Sequence, residues 1–239
     1  MRINNCDFCD ELSGGSNNAF ATIYKQQPTS RILYRSRHFV VLPSLGQIVE
    51  GHLLIVPITH DTALADVTLS SAEELSDLRS FVRGAVVETY GSVIFFEHGV
   101  RGKQAGGCGI DHAHLHAVPF ASSQEPIEEL KDRHPLRSIG GISEIPHQVA
   151  PDSPYLYYEQ TNGQAWACEI DFVPSQYLRK CVAESLGTKS WDWREFGTEE
   201  ALIRSLERLS RVFNCAPKAV VGDGVSFSHA KAAIGNPVS

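Results

Sequence analysis

The stretch His112-Ala113-His114-Leu115-His116-Ala117-Val118, closed by Pro119, decides how this chain is read. Imidazoles alternate with small and apolar side chains, the period-2 pattern of a half-buried strand. Successive strand residues face opposite sides, so His112, His114 and His116 point one way while Ala113, Leu115 and Ala117 point into a core. Three imidazoles on one face are a poor packing solution, because each brings two polar nitrogens that must be satisfied on burial. Two chemistries suit the pattern. The three rings can hold a catalytic metal, or one can be a nucleophile while the others hold a phosphate and its leaving group. The upstream loop Gly106-Gly107-Cys108-Gly109 favours the second, since glycine lets backbone N–H groups close around an anion.

Outward from that stretch the expected elements form an orderly series. Residues 32–34 and 38–42 read as strands, the latter ending at Pro43, and residues 51–57 as a third. A helix starts near Ser70, where Ser70 and Glu73 have capping-box spacing and Leu75, Leu78, Val82, Ala85 and Val86 make one apolar stripe; Gly91 stops it. Residues 93–96 form a short buried strand before the Gly-rich loop 99–109. Residues 1–30 are polar and without period, and residues 121–153 read as a mostly irregular connector. Asn162-Gly163 marks a hairpin, and residues 176–186 and 199–213 read as helices. The tail from Ala216 carries no pattern that assigns it. The expected architecture is α+β, an antiparallel sheet with helices over residues 1–120, and a C-terminal α/β extension over residues 121–239 packed on it.

The motif His112-Ala-His114-Leu-His116-Ala-Val118 resembles the histidine-triad (HIT) superfamily, His-φ-His-φ-His-φ-φ, at every position. Gly51-His52-Leu53-Leu54-Ile55-Val56-Pro57 is similar to the strand that precedes it there, and helix, strand, Gly-rich loop and triad follow in that order. The resemblance covers about residues 1–120. It implies a nucleotide hydrolase or transferase acting on a phosphoanhydride or phosphoramidate at an α-phosphate. His114 would attack phosphorus and form a nucleotidyl-enzyme that water resolves, and His116 would contact the phosphate and assist the leaving group. Transferase branches, such as galactose-1-phosphate uridylyltransferase and the dinucleoside-polyphosphate phosphorylases, typically carry Gln at the third position, so His116 tilts the expectation to hydrolysis. The alternatives are a transferase or phosphorylase of the same chemistry, or a non-catalytic nucleotide- or RNA-binding module.

Cys6-Asp-Phe-Cys9 is a C-x₂-C pair, half of a tetrahedral zinc site. By the resemblance, His60 and the first triad histidine, His112, complete it, giving a structural zinc on Cys6, Cys9, His60 and His112. His114 would then donate from one ring nitrogen to the backbone carbonyl of His112. The chain also departs from the small hydrolases. Ser44 stands where a ribose-binding Asp or Asn is usual, and Gly109 where a phosphate-binding Ser or Thr is usual. Glu97 and His98 occupy the end of the pre-loop strand, where Asn or Gln is usual. Glu97 and His98 are candidates for proton transfer, for orienting a triad histidine and for substrate contact, against a reading as a solvent-facing strand end. Gly107, Cys108 and Gly109 are the loop candidates for substrate contact, with Cys108 set aside as a nucleophile.

The C-terminal half resembles the extension of longer HIT-like proteins, including the CwfJ-like family, through Pro174-Ser-Gln-Tyr-Leu-Arg179 and Trp191-Asp-Trp193-Arg194. Arg179 is a candidate for bidentate phosphate contact, against a reading as a solvated helix residue. Trp191 and Trp193 read as packing rather than as a base-stacking pair. Over the whole chain of 239 residues the formal charge is −7, which argues against broad nucleic-acid backbone binding. No apolar run approaches the ~18 residues of a membrane span. The Met-Arg-Ile-Asn-Asn-Cys start has no apolar leader segment, so a cytoplasmic protein is expected. The expected partner is a nucleotide or nucleotide conjugate. Small HIT proteins also pair as homodimers through a sheet edge and helix, a surface that this extension competes for.

Overall fold

The computed structural model describes residues 6–25, 27–67, 69–101, 110–195 and 199–214. Its strands are β1 (Tyr34–Arg35), β2 (Phe39–Pro43), β3 (Leu53–Pro57), β4 (Val93–Gly99), β5 (Leu115–Pro119), β6 (Arg137–Ile139), β7 (Tyr155–Glu159) and β8 (Ala165–Glu169). All neighbours pair antiparallel in one sheet, ordered β1-β2-β3-β5-β4-β7-β8-β6. The fold is α+β, as its sequence pattern leads one to expect.

The sheet has two apolar faces. One carries Val41, Ile55, Phe95, Ala117 and Tyr157, and is covered by α3 (Leu69–Tyr90) and α7 (Glu199–Asn214) through Leu75, Val82, Val86, Leu209 and Phe213. α3 ends where Gly91 takes φ +95°, a turn that a side chain would strain. The other face is covered in two places. Phe8 of α1 (Asp7–Leu12) packs on Val40, Leu42, Leu54 and Val56. Further along, α4 (Ile127–Arg133) and α6 (Tyr177–Ser185) pack on Phe96, Val118, Leu156 and Tyr158. The triad lies on this second face.

Three expectations change. The first 30 residues are not featureless: Cys6 caps α1, Asn18 caps α2 (Ala19–Ile23), and Arg31 clamps Glu11 with two guanidinium hydrogen bonds at 2.7–2.8 Å. The connector 121–153 holds α4, β6, a 3₁₀ turn at Ile142–Glu144 and α5 (Ile145–Gln148). These elements are too short to show a period. Finally, the triad strand begins at Leu115 rather than His112. The backbone just before it bonds to a loop instead of a neighbouring strand, with Ala113 N–H donating to Asp61 O at 2.6 Å.

The join between the halves is a strand pairing. β7 runs along the outer edge of β4, from Phe95 opposite Glu159 to Gly99 opposite Tyr155. Arg79 and Arg83 of α3 both pair with the fully buried Glu159 carboxylate, which also accepts from Tyr157 OH at 2.8 Å. Among the described residues, no helix is long and apolar enough to cross a membrane.

Candidate active site

Two clusters meet at the triad, one built by the N-terminal segment and one by the histidines at the start of β5 and the residue before β3. In the first, Cys6 and Cys9 sit one helical turn apart at the start of α1, and His60 lies in the loop after β3. Cys6 Sγ is 3.3 Å from His112 Nδ1, Cys9 Sγ is 3.3 Å from His60 Nδ1, and Cys9 Sγ is 3.6 Å from His112 Nδ1. All four donor atoms lie within 4.8 Å of one another. A tetrahedral ion with bonds of about 2.0–2.3 Å needs edges of roughly 3.3–3.8 Å, so these three separations fit one. His112 is oriented for it: its Nε2–H donates to Pro57 O at 2.9 Å, which leaves the Nδ1 lone pair towards the sulfurs. Burial, followed by the hydrogen bond and charge of Cys6, pushes the Cys9 thiol up to about 11. Two adjacent thiols, one of them buried, ionise together readily only when a cation replaces the protons. The four residues are placed to hold a metal ion.

The second cluster is an imidazole relay. His114 Nδ1 lies 2.6 Å from His112 O, so it carries the proton and leaves the Nε2 lone pair unencumbered. Burial lowers the basicity of His114 to about 4, and the nearby His112 and Arg179 charges work in the same direction. Its ring stays neutral near pH 7. His116 Nδ1 lies 2.9 Å from His52 Nε2, and His52 Nδ1 accepts the Ile48 N–H at 3.3 Å. Burial holds both rings well below the usual imidazole range, so both are neutral. The proton positions then follow in order. His52 Nδ1 is an acceptor, its Nε2–H donates to His116 Nδ1, and the proton of His116 is on Nε2. That buried Nε2–H has no hydrogen-bond partner among the described residues. It belongs to a ring 4.8 Å from that of His114.

His52 does not stand out as a site residue in the sequence. The signal was present nonetheless: His52 shares strand parity with Leu54, and Leu54 pairs directly with His116. Only the β3–β5 register turns that parity into a contact.

Arg179 is not a solvated helix residue. It is 2 % exposed and reaches back from α6 into the loop that follows β2, donating from Nε to Trp191 O at 2.8 Å, from Nη1 to Ser44 Oγ at 3.3 Å and from Nη2 to Gly46 O. Ser44 Oγ in turn donates to Leu45 O at 3.0 Å. The Ser44 hydroxyl is thus tied to protein, not presented as a ribose-binding carboxylate would be. Phe8, Leu54, Ser44, Arg179 and Trp193 line a cavity of about 30 Å³ onto which His114 and His116 also open.

Glu97 is a correction. Phe96 pairs with His116, so the alternation of β4 sends Glu97 to the opposite face. There it accepts from Leu64 N–H at 2.8 Å and Tyr155 OH at 2.6 Å, and burial raises its carboxyl to about 7. It has no access to the triad and is not a catalytic residue of it. His98 has the parity of Phe96 and lies on the triad face, close enough to His114 for its charge to act on that ring. It is 4 % exposed, and neither ring nitrogen has a hydrogen-bond partner. Gly107, Cys108 and Gly109 lie outside the described residues.

The family model described as "Protein similar to CwfJ C-terminal" matches residues 15–131. The match is to that segment of the chain, which runs from α2 through the triad strand to α4 of the α+β fold. That segment spans the triad half, whereas the sequence resemblance to CwfJ-like proteins was drawn from the C-terminal half. No curated protein sequence matches the chain. Similar solved structures include a HIT family protein from Bacillus anthracis, at 17% identity and TM-score 0.38, covering 55% of this chain and 94% of that one. A HIT family hydrolase from Clostridium thermocellum is similar at 20% identity and TM-score 0.34, covering 52% and 96%. A Zn-bound histidine triad family protein from Mycobacterium smegmatis is similar at 20% identity and TM-score 0.34, covering 50% and 78%.

Proposed function

We propose that this protein is a nucleotide hydrolase that cleaves a phosphoanhydride or phosphoramidate bond at a nucleotide α-phosphate through a nucleotidyl-His114 intermediate. The observation that carries this reading is the pairing of opposite proton states on adjacent rings. His114 offers a bare Nε2 to phosphorus, and His116 offers an Nε2–H to a phosphoryl or leaving-group oxygen. In the first step the His114 Nε2–P bond forms and the bond to the leaving group breaks, the leaving group taking the bonding pair and a proton that reaches it from solvent, with the His116 Nε2–H as the hydrogen-bond donor beside it. The ring then carries positive charge, because Nδ1 keeps its proton, and the His112 carbonyl accepts that proton's hydrogen bond. In the second step water attacks phosphorus, the P–N bond breaks, and a water proton passes to solvent, leaving a nucleoside monophosphate and neutral His114. The Arg179 guanidinium contributes fixed positive charge beside the cavity.

Cys6, Cys9, His60 and His112 would hold zinc. Bound there with four protein ligands, zinc supplies charge and cross-linking rather than an open position for water. The position of the His112 carbonyl, and with it the proton on His114, depends on that anchoring.

Incubation with adenosine 5′-phosphoramidate, followed by intact-mass analysis, should reveal a nucleotidyl adduct. His114→Ala should abolish the adduct and lower turnover by at least ~10³-fold. Wild-type protein that turns over neither phosphoramidates nor dinucleoside polyphosphates, and binds nucleotide as well after His114→Ala, would refute the reading. Products formed with and without an acceptor alcohol separate hydrolysis from transfer.

A further inference from the structure

One side chain clips the turn at residues 191–194 onto α6. Gln176, just before the helix, is 2 % exposed and holds φ +61°, a left-handed conformation that residues other than glycine seldom adopt. Its Nε2–H donates to Asp192 Oδ1 at 2.9 Å, and its Oε1 accepts from Trp193 N–H at 3.1 Å. Asp192 Oδ1 also accepts from Arg194 N–H at 3.0 Å. Three residues into the helix, Arg179 holds the carbonyl of Trp191. Such a backbone outlier persists only where its surroundings over-determine it, and here the surroundings consist of the contacts that aim Trp193.

Trp193 is aimed at the triad cavity. It is half-buried, it packs beside Phe20, Leu45 and Leu202, and the Arg194 guanidinium lies 4.9 Å from its ring centroid. The same cavity wall includes His114, His116 and two guanidinium groups, Arg31 and Arg179. The cavity has room for roughly two waters, at the ~10–15 Å³ that each requires. That is the scale of a phosphoryl group and far below that of a nucleoside. With the phosphate inside, whatever it carries must extend beyond the cavity, and the Trp193 indole is part of the wall that it passes.

We propose that Trp193 is the stacking platform for an aromatic base attached to the phosphate, so that the C-terminal half supplies both a phosphate contact, Arg179, and a base contact. The substrate class narrows to nucleotides, as opposed to sugar phosphates or alkyl phosphate esters. The proposal rests on the catalytic reading above only for placing the phosphate beside His114. Base–aromatic stacking of ordinary strength corresponds to about tenfold to a hundredfold in affinity.

Calorimetric titration of the full chain with AMP and with ribose 5-phosphate tests it without requiring turnover. Wild type should bind AMP about tenfold to a hundredfold more tightly. Trp193→Leu should remove that preference while leaving ribose 5-phosphate affinity within about twofold, and Trp193→Phe should retain most of it. Should the leucine variant misfold, wild-type fluorescence decides: AMP should quench the indole emission and ribose 5-phosphate should not. Equal affinity of wild type for the two ligands, or an undiminished preference in Trp193→Leu, would overturn the platform. If a nucleotidyl adduct forms but base-free phosphoramidate reacts equally well, the platform alone falls. If neither ligand binds and no adduct forms, the catalytic reading falls and the platform with it.

Discussion

His98 is buried on the triad face with neither ring nitrogen bonded to protein, whereas its neighbour Glu97 faces the other way with both carboxylate oxygens bonded. An unsatisfied buried polar group costs about 1–3 kcal/mol, and replacing it with an apolar group of similar shape recovers much of that. His98→Phe should therefore stabilise the protein by about 1 kcal/mol while slowing turnover, since the site keeps its packing and loses a polar group available to substrate. A merely structural histidine predicts the opposite sign for stability. The pH dependence adds a second check. Burial pushes His98 down to about 4, whereas an unfolded chain's imidazole titrates near 6.5. Between those values the unfolded chain binds a proton that the folded one refuses, so stability is lost as pH falls through this window, by up to roughly 3 kcal/mol for one ring. The variant should lose less stability than wild type between pH 7 and 4.5 in urea unfolding. Equal losses in the two proteins would sink the assignment.

At the scale of elements, α1 is the one whose existence needs explaining. Six residues are too few to hold a helix in water, where isolated helices shorter than about 12 residues are marginal. Its anchors are the Cys6 and Cys9 sulfurs against His60 and His112, the Phe8 ring edge-on to His112 and His114, and the Arg31–Glu11 clamp. Removing metal should free the thiolate end of α1 and let the His112 carbonyl drift from His114. A strong chelator should lower Tm by roughly 10 °C and reduce turnover with it. The Cys6→Ser, Cys9→Ser double variant should already sit at the lower Tm and ignore the chelator. A chelator effect of equal size on that variant would show that the cluster is not where the metal acts. The contrast with the sequence is instructive. The three histidines, the C-x₂-C pair and the long stripe of α3 were legible because each is local and periodic. α1, β6 and α5 were not, because elements of three to six residues carry no period. Glu97 was misassigned, and His52 overlooked, for one reason. Which face a strand residue serves depends on cross-strand register, and register lies in pairings between residues tens of positions apart.

Across the whole molecule, the division near residue 120 that the sequence suggests does not interrupt the sheet. β7 extends it from the edge of β4, Arg179 crosses back to Ser44, and Glu159 holds two arginines of α3. A carboxylate that is fully buried beside two guanidinium groups is stabilising only while the set is complete; removing one partner strands the others at about 3–5 kcal/mol. Glu159→Ala should cost that much, and how the loss appears tells whether the halves act as one unit. All three tryptophans, Trp166, Trp191 and Trp193, lie in the C-terminal half, so indole fluorescence follows that half and, through Trp193, its seating on the other. Release of metal from Cys6, Cys9, His60 and His112 follows the other. If the continuous sheet makes one cooperative structure, the two signals should share a single urea midpoint in wild type, and both should shift together in Glu159→Ala. Fluorescence that changes at lower urea than metal release in the variant would mean that the C-terminal half detaches first. The triad half would then hold its own fold with the β4 edge exposed, and Arg179 would be lost from the site before the histidines are disturbed.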